Sequence, residues 1–152
     1  MRPRLEASRH NPVSLARMMV LVVGWLMSSC VHRNPWNELN TRDLGCTSFE
    51  IVIARGVEFR VASLAGVVYA IGAPDGNGPV EDVRVVLRRL GAREQLAATM
   101  TSSDGRFAFP DTPVGWYQLE TCRDGFNSVV APVLITRYPR GAPLVLRVSV
   151  AS

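Results

Sequence analysis

The sequence predicts an all-β protein, a sandwich or small barrel of short strands. Three observations carry this. Short apolar runs alternate with polar residues at a period of two, as Val83, Val85 and Leu87 do with Arg84 and Arg88. Turn residues punctuate the runs: Asp104-Gly105, then Asp111, Pro113 and Gly115, then Asp124-Gly125. Each run has strand length, and short strands at this spacing close into a sandwich or small barrel.

Taken in order, the chain begins with a targeting signal. Arg2, Arg4, Arg9 and Arg17 precede the apolar run Met18–Met27, and Ser28-Ser29-Cys30 follows. A basic start, a short apolar stretch and small residues before a boundary make a secretory signal. The apolar run is short of the roughly 20 residues that a membrane-spanning helix needs. Leu26-Met27-Ser28-Ser29-Cys30 resembles the lipobox of bacterial lipoproteins, with Met27 where Leu is usual. The resemblance implies that residues 1–29 are removed and that Cys30 becomes the lipidated first residue. Several acyl chains on one cysteine hold a protein on a membrane leaflet, whereas a single chain holds weakly. The expected place is therefore the bacterial cell envelope. Val31 stands where Asp would favour inner-membrane retention in a Gram-negative host, so the outer membrane or periplasmic face is open to it. The other reading is an ordinary cleaved signal with an incidental cysteine.

Residues 30–48 read as a polar tether with His32, Asn34, Pro35, Asn37, Asn40 and Gly45, in which Trp36 and Leu39 are the candidates for packing on the domain. Residues 49–152 are assigned to the sandwich. Phe49, Ile51 and Ile53, then Val57, Phe59 and Val61, form one or two strands divided at Gly56, suited to a sheet edge or to a partner. Residues 72–79 hold three glycines and two prolines and read as an exposed loop. Val83–Arg88 follows, its arginines expected to reach water. Phe107 and Phe109 share one strand face after the Asp104-Gly105 turn, and Tyr117 and Leu119 share another. Val129–Ile135 and Leu144–Val150 complete the set.

Gly66-Val67-Val68, Pro79-Val80, Val83-x-Val85-x-Leu87, Asp104-Gly105-x-Phe107-x-Phe109, Gly115-x-Tyr117-x-Leu119 and Gly125-Phe126 together resemble the carboxypeptidase regulatory-like domain over residues 64–151. The resemblance implies a transthyretin-like (prealbumin-like) antiparallel β-sandwich of about seven strands. It implies little about function, because such sandwiches host unrelated roles.

Composition narrows the function classes. Segment 1–29 holds four arginines and one glutamate, which is +3 of the formal net charge of +4. The remainder is almost neutral, so the charge argues for no nucleic-acid partner. Cys46 and Cys122 are an even pair once Cys30 is lipidated, and an oxidising compartment permits their bridge. Two buried free thiols are the other reading. His32 is the single histidine after the signal and lies in the tether, which argues against a Ser-His-Asp triad and a metal site. Asp104, Asp111 and Asp124 are explained by turns. Histidines and a terminal Tyr-Arg-Gly-Ser mark the transthyretin-like hydrolases, and two His with two Tyr mark the intradiol dioxygenases. This chain has neither set, and with no lysine it cannot form a Lys–Asn isopeptide crosslink.

The expectation is a non-enzymatic envelope lipoprotein without a cofactor or metal. Its membrane contact is the lipid on Cys30, and its role is protein interaction or structure, with an envelope protein as partner. The alternative is a carbohydrate-binding module of starch-binding-like architecture, with glycan stacked on Trp116; Tyr117 and Tyr69 are better placed for core packing.

Overall fold

The computed structural model describes residues 34–41, 50–54, 59–73, 76–140 and 143–151. The signal 1–29, Cys30, Cys46 and Gly56 lie outside the described residues. A short 3-10 helix spans Pro35–Glu38, capped by the Asn34 side chain accepting from Trp36 N–H at 3.1 Å. The strands are β1 Ile51–Ile53, β2 Phe59–Val61, β3 Leu64–Ile71, β4 Gly78–Pro79, β5 Arg84–Arg89, β6 Gln95–Met100, β7 Arg106–Phe109, β8 Gly115–Cys122, β9 Ser128–Ile135 and β10 Val145–Ser149.

They form two sheets. In the first, β9, β8, β5 and β6 lie side by side, and β1 and β2 run along the outer side of β9. In the second, β3 is flanked by β10 on one side and pairs with β4 and β7. The all-β expectation holds, with two corrections: ten strands are described rather than about seven, and the sheets are mixed rather than antiparallel. Neighbours joined by a short turn, β5 with β6 and β8 with β9, are antiparallel, because a hairpin forces that direction. β1, β2 and β10 pair in parallel with partners far along the chain: Ile51 with Ser128, Phe59 with Val133, Val145 with Val67. Alternation marks a strand but not the direction of such a distant partner.

Pro132 explains the split edge. Ser128 N–H donates to Glu50 O and Thr136 N–H to Val61 O, so even-numbered residues of β9 direct their main-chain groups to the β1/β2 side. Pro132 has no N–H to offer there. The register jumps at that point. Ile53 lies opposite Val130 and Phe59 opposite Val133, so the pairing offset changes by three residues.

The core lies between the sheets. Odd-numbered residues of β5, β8 and β9 (Val85, Leu87, Tyr117, Leu119, Val129, Ala131, Val133) meet Leu64, Val68, Phe107, Phe109, Leu146 and Val148 from the second sheet. Burying a side chain of this kind contributes about 1.5–3 kcal/mol. Thr101 closes one end: its hydroxyl donates to Val80 O at 2.7 Å and accepts from Val83 N–H at 2.9 Å. The Asp104-Gly105 turn works as expected from its residue types. Gly105 has φ +71°, and a Cβ there would come within 2.6 Å of Val68 O.

Candidate functional site

The even-numbered residues of β8 point away from the core, yet Gln118 and Glu120 are fully buried. Both are polar, in a position that alternation alone would leave in water. Arg88 of β5 lies opposite Gln118, is also buried, and places Nε 3.5 Å from the Glu120 carboxylate. Its guanidinium also donates to Arg93 O. This corrects the expectation for Arg88, which is enclosed, while Arg84 is half-buried and Arg89 exposed.

Part of the expected tether is fastened over this face. Asn40 N–H donates to Gln118 Oε1 at 2.8 Å, and Gln118 Nε2 donates to Asn40 O at 2.7 Å. The Gln118 amide thus reads the main chain of residue 40 as a neighbouring strand would. Trp36 and Leu39 are half-buried. Removal from water raises the Glu120 pKa above its ordinary value; the positive charges of Arg88 and Arg84 partly offset this. A buried ion pair adds little net stability, but leaving one partner alone costs heavily. The arrangement is therefore a polar clamp that must stay complete.

Sequence reasoning missed this cluster, though a signal existed. Val129–Ile135 is an almost unbroken apolar run, as expected for a strand covered on both faces. That implied a cover over the outer face of β9 and hence over its neighbour β8.

The three candidate rings are not brought together. Tyr117 is in the core, and its hydroxyl donates to Pro113 O at 3.0 Å. Trp116, one residue earlier, is half-buried on the opposite face, across from Leu134. Tyr69 lies in the second sheet between Arg147 and Pro79, half-buried and outside the core. Cys122 ends β8, half-buried and opposite Arg84. Among the described residues no cluster of three His, Cys, Asp or Glu side chains could hold a metal ion. No helix among them is long and apolar enough to cross a membrane.

Two other surfaces stand out. The outer face of the second sheet carries an open groove of about 780 Å³ lined by Ala65, Val67, Met100, Arg106, Ala108 and Val145. At its rim Asp104 accepts from the Ser102 hydroxyl at 2.6 Å and pairs with Arg106 at 2.7 Å. The Ser102 bond is the main cause of a lowered Asp104 pKa. The second surface is the edge of β6, which among the described residues pairs with β5 alone. Thr101 N–H donates to Val83 O, so by alternation Thr99 and Ala97 bond to β5, and the main-chain groups of Ala98 and Met100 point outward. Leu96, at a bulge in the pairing, is 48% exposed and Met100 is 52% exposed. From Gln95 to Ser103 the chain carries no charge.

No protein-family model matches the chain, and no match to a curated protein is found.

Proposed function

We propose that this chain is a non-catalytic envelope lipoprotein, held on a membrane by lipid on Cys30, whose sandwich serves protein interaction through a sheet edge. The observation that carries the interaction reading is the β6 edge: outward main-chain groups at Ala98 and Met100, exposed Leu96 and Met100, and no charge to repel a strand. An edge of this kind is a template for an added strand, with main-chain bonds giving affinity and side chains giving specificity. The carboxypeptidase regulatory-like, transthyretin-like kinship is part of the proposal. It is supported by the two-sheet architecture and by glycines with positive φ at the motif's turns, Gly105 and Gly125. The glycan reading has weaker support, because Tyr117 is in the core and Trp116 and Tyr69 lie on different sheets.

A Cys46–Cys122 bridge belongs to the same reading. Its support is that Cys46 is the remaining cysteine once Cys30 carries lipid, and that Cys122, at the end of β8, is not enclosed in the core. The test of the whole reading is mild crosslinking in native membranes followed by mass spectrometry. The expected result is a mature chain beginning at acylated Cys30, recovered with a specific protein partner that Met100→Lys releases. An unmodified soluble chain overturns the lipoprotein reading. Recovery of glycan, lost in Trp116→Ala, overturns the protein-interaction reading.

A further inference from the structure

Not every edge of this molecule is open in the same way. β2 carries Arg60, whose main chain is bridged by Arg140. β10 carries Arg147, and residues 125–127 bond to its C-terminal end through Asn127 N–H to Ser149 O. β7 is four residues long and carries Arg106. β4 is two residues with a proline, and β1 is three residues long. Charges, prolines and short length are the usual protections of a sheet edge. β6 is six residues long with no charge and no proline, and a bulge near its start is its one guard.

From this we infer that the partner of β6 is β6 of a second copy of this chain, paired antiparallel about a two-fold axis at Ala98. The inference rests on the edge-interaction reading above and names its partner. A two-fold axis sets a strand against itself, so any charge near the axis meets an equal charge. β6 is the one edge strand longer than three residues described here that has none. The outward N–H and C=O of Ala98 then meet those of Ala98 in the second copy, which satisfies both pairs. Residues two positions either side of the axis face each other, so Leu96 of each copy lies beside Met100 of the other. These two are large apolar side chains left about half exposed, at 48% and 52%. The pairing covers both at once.

The test uses the full chain in membranes. Ala98 is exposed, as is Ala108 on the outer face of the second sheet, so a cysteine at either position leaves the core intact. With a short thiol-to-thiol bismaleimide, Ala98→Cys is expected to give a covalent dimer about tenfold more readily than Ala108→Cys, a difference of about 1.4 kcal/mol in pairing. Adding Met100→Lys, which sets a positive charge against the apolar neighbour, is expected to abolish it. Ala98→Pro, which removes the outward N–H and no hydrogen bond to β5, is expected to dissociate the dimer in sedimentation at unchanged helix and strand content. Equal crosslinking from both positions overturns the inference. So does a different protein crosslinked to Ala98→Cys with no self-dimer; that outcome leaves the edge-interaction reading standing. No β6-dependent crosslink of any kind removes both.

Discussion

The outer faces of the two sheets are opposites in a way their residues do not suggest. On the first sheet Arg88, Gln118 and Glu120 are polar and buried; on the second Ala65, Val67, Ala108 and Val145 are small and apolar and line an open groove. Exposure here follows what the chain lays over a face, not the polarity of the face itself. The segment ending at Asn40 lies on the polar face and is held there by hydrogen bonds. Polar burial makes that attachment directional, since the Gln118 amide accepts from N–H and donates to C=O of a single residue.

Substitutions sharpen the contrast. Arg88→Ala removes the ion partner of a fully buried carboxylate and is expected to cost about 3–5 kcal/mol in denaturant unfolding. A loss below about 1 kcal/mol would mean that Glu120 is held by other groups. Gln118→Ala strips both bonds from Asn40 and leaves its main chain in need of water. We expect a loss of about 1–3 kcal/mol, together with faster amide exchange at Asn40. An unchanged exchange rate there would show that the segment is held elsewhere. Glu120 gives a pH signature. Its folded pKa is raised, so its contribution is fully present below the ordinary glutamate value and is lost as pH rises through the folded value. Tm is therefore expected to rise as pH falls from neutral toward that ordinary value, and Glu120→Gln is expected to flatten this slope. The smallest effect belongs to the other sheet: Ala108→Ser is expected to change stability by no more than about 0.5 kcal/mol.

Much of the fold was legible from period and punctuation. Val83 to Leu87 and Phe107 with Phe109 face the core as their alternation requires, and Asp104-Gly105 turns where its residue types demand. Residues 49–62 read as one or two strands suited to an edge; β1 and β2 are two, both beside β9 in the first sheet. Direction was not legible, because nothing local ties Ile51 to Ser128 or Val145 to Val67. The polar clamp was hidden for a related reason. Gln118 and Glu120 look like water-facing positions of an alternating strand until Asn40, 78 residues away from Gln118 in sequence, comes to rest on them. The β6 edge could be read in part: its lack of charge is in the sequence, but its place at the end of a sheet is a property of the assembled fold.

The proline in β9 has a consequence for how the molecule opens. Because the register breaks opposite Pro132, β1 and β2 are two separate three-residue clasps rather than one zipper. Releasing Ile51–Ile53 from Ser128–Val130 leaves Phe59–Val61 on Val133–Ile135 undisturbed, with buried Phe59 still seated in the core. The first clasp can open on its own, and the sandwich behind the second keeps its shape.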